Sequence, residues 1–153
     1  MTKNIFLIIS FLTILIISCN PAPEYNLNIS PPPDNSWPED IYPPKIKNEM
    51  AVVKTKEYGG TEALYGNDKS IYVARLSTTE EAISFFQKNI TPEFESLTSN
   101  YIGEVDGQFY ARANSNGKKY FGWVNHRYIF VLKATSDKAF SELLDNFTYI
   151  SRK

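Results

Sequence analysis

Eight of the nine prolines in this chain of 153 residues fall between residues 21 and 44: Pro21, Pro23, Pro31, Pro32, Pro33, Pro38, Pro43 and Pro44. Proline fixes φ and has no amide hydrogen to donate, so neither a helix nor a central strand is expected from such a stretch. An extended, polyproline-like course at about 3.1 Å per residue is expected instead, with a reach on the order of 75 Å if fully drawn out. That divides the chain into a leader over 1–18, a proline-rich tether over 19–44 and a single folded domain over 45–153.

Hydrophobic residues make up 42% of the chain and aromatics 14%, enough for a folded core and weighted towards sheet. The formal net charge is −1, with Lys and Arg scattered among Asp and Glu. Such a distribution lacks the clustered basic footprint that nucleic acid requires. Cys19 is the one cysteine and His126 the one histidine. The domain has no thiol for a disulfide, an iron–sulfur cluster or a cysteine-based zinc site, and no metal or cofactor is expected.

The leader carries a positive charge at Lys3 and a nearly unbroken apolar run from Ile5 to Ile17. A helix needs roughly 20 apolar residues to span a bilayer, so the run suits a secretion signal better than a permanent anchor. It ends in Ile16-Ile17-Ser18-Cys19, which resembles the bacterial lipoprotein signal: a branched aliphatic at −3, a small residue at −1, then cysteine. The family prefers Leu at −3 and a small residue at −2, so Ile16 and Ile17 are departures from it. The resemblance implies cleavage before Cys19, a diacylglycerol on its thiol and a fatty acyl group such as palmitate on the new amino terminus. Two or three acyl chains make a stable anchor where one is marginal. The implied location is the cell envelope, with the outer membrane favoured in a double-membraned source because Asn20, not Asp, follows the cysteine. Within the tether, Trp37, Ile41 and Tyr42 are too apolar for a pure spacer. They are expected either to lie against the domain or to form a linear docking motif.

The domain reads as α+β. Strands are expected over 50–57, 62–65 and 71–76, then a helix capped by Thr78 with Glu81 completing a capping box. An irregular connector is expected over 89–99. The second half repeats the plan, with strands over 108–113, 119–124 and 128–134 and a helix capped by Ser136. An offset of 57 residues sets Thr78, Ala82, Ser84, Asn89 and Thr91 against identical residues, and Gly60 against Gly117. The expected architecture is therefore a duplicated βββα unit, with pseudo-repeats over about 50–91 and 107–148, and an antiparallel sheet with both helices on one face.

Tyr128, Phe130 and Leu132 alternate with Ile129 and Val131, and Phe121 and Trp123 with Tyr120 and Val124. Strands apolar on both sides are normally covered on both. With two helices on one face, the other is left for the tether, a partner or a ligand, and Trp123, Phe121, Tyr120 and Trp37 are the candidate contact residues. No phosphate loop, dinucleotide fingerprint or nucleophile elbow is present, so no catalytic residues are assigned. His126 reads as a turn residue, and Glu104 and Asp106 as a solvated strand edge. The function expected is a non-enzymatic, membrane-anchored envelope module, its partner an envelope protein or a second copy of itself. The alternatives are a small-molecule or glycan carrier using the aromatic face, and a hydrolase using His126 or Glu104.

Overall fold

The computed structural model describes residues 22–153, so the leader and Cys19 lie outside the described residues. In chain order it contains β1 (Tyr25–Asn26), α1 (Pro38–Ile41), β2 (Lys45–Ile46), β3 (Glu49–Met50), β4 (Val52–Thr55), β5 (Thr61–Tyr65) and β6 (Lys69–Arg75). There follow α2 (Thr79–Phe85), a π turn (Phe86–Ile90), α3 (Thr91–Glu95), β7 (Ser99–Val105), β8 (Gln108–Ser115), β9 (Lys118–Asn125), β10 (Tyr128–Ala134), α4 (Asp137–Asn146) and β11 (Ser151–Arg152). Seven strands form one antiparallel sheet in the order β4-β5-β6-β10-β9-β8-β7. Two short pairs, β1 with β11 and β2 with β3, flank it. The class is α+β.

Both faces of the central strands are covered. On one, Ile71, Val73, Phe121, Trp123, Phe130 and Leu132 pack beneath Ala139, Phe140, Leu143 and Phe147 of the α4 segment. On the other, Tyr72, Ala74, Ile129, Val131 and Val124 pack beneath Ala82, Phe86, Ile90 and Phe94 of the α2–α3 segment. The helices thus lie on opposite faces and not together on one, because each apolar face of the sheet must leave water. The α2–α3 segment also approaches the sheet closely. A Cβ on Gly122 would lie 2.8 Å from Phe86 Cζ and 3.2 Å from Phe94 Cζ.

This arrangement departs from the expected duplication. Because β6 and β10 are antiparallel neighbours, a rotation carrying β4-β5-β6 onto β10's meander must turn about an axis perpendicular to the sheet. Such a rotation leaves the faces unchanged and would put both helices on the same side. The caps disagree as well. Glu81 N–H donates to Thr78 Oγ1 and Ala139 N–H to Ser136 Oγ, so the caps are 58 residues apart and not the 57 at which identities align.

The connector after α2 is helical, not irregular. Pro92 has no N–H, and its ring would crowd the carbonyl of residue 88 in a continuous α-helix. The chain widens for one turn, with Thr91 N–H donating to Phe86 O, and then restarts as α3 with Pro92 in its first turn. Asn89 Nδ2 donates to Phe85 O and Asn146 Nδ2 to Glu142 O, so both amides close helix ends.

The proline-rich segment is no free spacer. Leu27, Ile41 and Tyr42 are buried in the α4-face core, and Ile46 is fully enclosed there. A run of prolines presents carbonyls and few donors, and here the sheet supplies the donors. Tyr128 Oη donates to Pro33 O at 3.0 Å, Asn125 Nδ2 to Ile29 O at 2.9 Å and Tyr65 Oη to Pro43 O at 2.6 Å. Arg75 reaches both Asp34 O and Ser36 O, and Arg127 reaches Asp34 O. Residues 25–44 are therefore a strap within the domain, and the domain does not start at residue 45. A helical turn even forms inside it: Pro38 occupies the first helical position of α1, where a missing N–H is harmless, and Trp37 N–H donates to the Asp40 carboxylate.

A strap and a spacer respond differently to change. Deleting residues 22–44 uncovers part of the α4-face core, and the shortened chain is expected to aggregate or lose cooperative thermal unfolding. Tyr42→Phe removes the hydroxyl that donates to Thr61 O and is expected to cost about 1–2 kcal/mol in urea unfolding. Unchanged stability in both variants would show that the segment is only a tether.

Candidate functional site

Among the described residues, a groove of about 760 Å³ lies at one end of the sheet. One wall is the strap from Ala22 to Pro31. The other is the Asp106–Gly107 and Asn125–His126 turns, with Thr79 and Ile83 of α2 and the terminal Lys153. Asp106 and His126 take left-handed backbone conformations, with φ of 52° and 53°, which lets two tight hairpins project their tips beside the strap. Two side-chain amides brace the walls. Asn125 Nδ2 holds the strap at Ile29 O, and Gln108 Nε2 donates to Val124 O.

The residues singled out in the sequence scatter. Trp123 and Phe121 are 0% and 2% exposed and form the α4-face core, so they are not a contact surface. Tyr120 faces the other side, half-buried, with its ring edge-on to Phe94. Trp37 is 64% exposed on the strap, with the Arg75 guanidinium 5.5 Å from its ring centre. His126 and Asp106 do line one groove, whereas Glu104 lies exposed on β7 opposite Phe109. Sequence periodicity identified apolar strand faces but could not say that both already had helices to meet.

A second hollow, about 340 Å³, follows from strand register. Val52, Leu64, Ser70, Lys133 and Tyr120 are successive cross-strand partners, forming one row across β4, β5, β6, β10 and β9. The adjacent row is Lys54, Glu62, Tyr72, Val131 and Gly122. Phe86 and Phe94 roof the Gly122 end of that second row. The first row borders the helical cover, and its Leu64, Ser70, Lys133 and Tyr120 line the hollow together with Lys118 and Thr135.

Charged side chains converge at this boundary. Glu62 is buried, with Lys56 Nζ at 2.6 Å and Lys133 Nζ at 3.8 Å, and it accepts the Ser70 hydroxyl at 2.9 Å. Lys133 also meets Glu93 at 2.6 Å, which ties α3 to the sheet, and its ammonium lies 5.6 Å from the centre of the Tyr120 ring. Burial pushes the Glu62 carboxyl up, but the two lysines and Ser70 outweigh it and hold the group below the usual carboxylate range. One residue before Ser70, Lys69 points towards the opposite face. Its ammonium meets Asp68 at 2.9 Å, Glu49 at 3.0 Å and Glu142 at 3.1 Å. Burial alone would lower its pKa; those carboxylates raise it well above the ordinary lysine value. Neither cluster was singled out in the sequence, although Lys133 inside Tyr128–Ala134 is a lone charge in an apolar strand, a signal that it needs a buried partner.

Chemically the Glu62 cluster suits cohesion better than proton transfer. Ser70 donates a hydrogen bond to a carboxylate that is a weak base, and Lys56 and Lys133 are held in ion pairs with Glu62 and Glu93. A group whose pKa is lowered on folding contributes stability above its unfolded value, and that contribution disappears as pH falls through the folded value. Glu62→Gln is therefore expected to be less stable than the parent at pH 7, with the gap narrowing below about pH 4.5, near the unfolded value. Urea unfolding at a series of pH values checks this, and a gap that stayed constant into acid would exclude the ion-pair account.

No protein-family model and no curated protein matches the chain. Among solved structures, a GTP binding regulator from Thermotoga maritima is similar at 14% identity and a TM-score of 0.48, over 69% of this chain and 81% of that one.

Proposed function

We propose that the chain is a bacterial envelope lipoprotein, lipidated on Cys19, whose domain is a non-enzymatic binding module working close to the membrane surface. The observation that carries this reading is where the strap-walled groove lies. Its strap wall includes Ala22, and three residue steps, at most about 11 Å of chain, join Ala22 to Cys19. Acyl groups on that cysteine bring the groove to the headgroup layer, and not some tens of ångströms above it. Confinement there raises the effective concentration of the groove and of any partner held in the same membrane.

The groove favours one further reading. Asn26, Asn28, Gln108 and Asn125 place neutral donors and acceptors beside Tyr25 and Phe109, chemistry suited to a glycan or another small polar molecule. A carrier would then work through this groove, since the aromatic sheet face is occupied by core packing.

Cys19→Ser tests the anchoring. The variant is expected to move to the aqueous fraction and to take up no labelled palmitate, while its domain keeps the parent's thermal unfolding profile. A variant that still fractionates with membranes and still incorporates label removes the lipoprotein reading. Calorimetric titration of the full chain with peptidoglycan fragments separates the second reading from the first: a carrier shows saturable heat that Asn125→Ala abolishes, and a protein-binding module shows none.

A further inference from the structure

We propose that β4 is an acceptor edge, to which an extended, acidic segment of a partner protein adds as an eighth strand. This inference is independent of the groove and of the lipid anchor.

The outermost strand of a sheet presents unpaired backbone groups, and proteins normally blunt such edges with lysines, prolines or bulges. All four residues of β4 are exposed, and the ten residues 49–58 contain neither proline nor glycine, so Lys54 is the one such device within the strand. Met50, Val52 and Val53 are 63%, 56% and 42% exposed, which concentrates most of the exposed large hydrophobic residues of the described chain in one short stretch. The opposite edge, β7, has no comparably exposed large apolar residue. Backbone direction is also fixed. Lys56 N–H donates to Gly60 O, so residues 56, 54 and 52 pair inward with β5, and the N–H and C=O groups of Val53 and Thr55 point away from the sheet.

Charge selects the occupant. Lys45 is the cross-strand partner of Met50, Lys47 is exposed in the turn that joins β2 to β3, and Lys54 lies within β4 itself. None of these three lysines forms an ion pair with another described residue, and Glu57 is the one exposed carboxylate close by along the strand. An added strand alternating apolar and acidic residues would pair with the outward backbone groups of Val53 and Thr55, lay its apolar side chains beside Val53 on one face, and turn its carboxylates on the other face towards Lys54 and Lys45. A second copy of this chain fits poorly. Antiparallel pairing of two β4 edges brings six lysines to one seam.

The test uses the full chain in detergent and a fluorescein-labelled, end-capped hexapeptide of alternating valine and glutamate, read by anisotropy. Saturable binding is expected, weakened by added salt, with the lysine-for-glutamate peptide binding about tenfold more weakly. Val53→Pro removes one outward N–H at a position where an edge strand tolerates proline, and is expected to weaken binding about tenfold. Lys45→Glu with Lys54→Glu changes exposed side chains only, and is expected to invert the preference between the two peptides. This second variant decides the question if far-UV circular dichroism shows that Val53→Pro fails to fold. Absence of binding at millimolar peptide, equal binding of both peptides, or no inversion in the double variant overturns the proposal. So does sedimentation of the free chain as a dimer that the lysine substitutions alter, because the occupant is then a second copy.

Discussion

The neighbouring strands β6 and β10 are apolar at both odd and even positions, and the rest of the molecule is arranged around that constraint. Ile71 and Val73 with Phe130 and Leu132 face one way, and Tyr72 and Ala74 with Ile129 and Val131 the other. A sheet of this kind cannot leave either side wet. Each helix is consequently committed to a different face, and the similarity between the two halves of the sequence does not become a symmetry in space. The close seat of Phe86 and Phe94 over Gly122 completes the cover on one side, and the strap completes it on the other.

The strap shows how a proline-rich segment can be structural without being regular. Its prolines cannot serve a strand ladder, but the segment's carbonyls accept hydrogen bonds: Tyr65 and Tyr128 donate to Pro43 O and Pro33 O, and Arg75, Asn125 and Arg127 to Asp34, Ser36 and Ile29 carbonyls between the prolines. Leu27, Ile41 and Tyr42 then bury their side chains in the core. Local rigidity lowers the entropic cost of docking, because proline has few conformations to lose. Under the proposed lipidation the consequence is one of distance: a spacer would lift the domain off the membrane, whereas with a docked strap only residues 20 and 21 separate Cys19 from the groove residue Ala22.

The two buried charges of the sheet, Glu62 and Lys69, lie at the boundary between covered and open surface. Lys69 and Ser70 are adjacent on β6, so they point to opposite faces, and each meets an acidic partner at the end of its face where helix cover stops. Glu93 on α3 and Glu142 on α4 make the links, so both helical layers are tied to the sheet by lysine–carboxylate pairs as well as by apolar packing. The pairing geometry explains how these charged residues are accommodated in strands that otherwise bury mostly hydrocarbon.

Local pattern made much of this legible. The strand over Tyr128–Ala134 has both its expected ends, the other expected strands in the sheet are displaced by only a few residues at their ends, and Thr78 and Ser136 cap their helices through their own hydroxyls. Alternation, capping and turn chemistry act over a few residues and can be read without coordinates. The polar strand β7 escaped, since its alternation is weak, and the helical run through Pro92 escaped because proline ordinarily signals an end. Which face each helix would take, that Trp123 would be core and not surface, and that the prolines would lie on the sheet were decided only by tertiary structure. Those outcomes depend on which apolar surfaces compete for the same cover, and that competition is between segments as far apart in the chain as Pro33 and Tyr128.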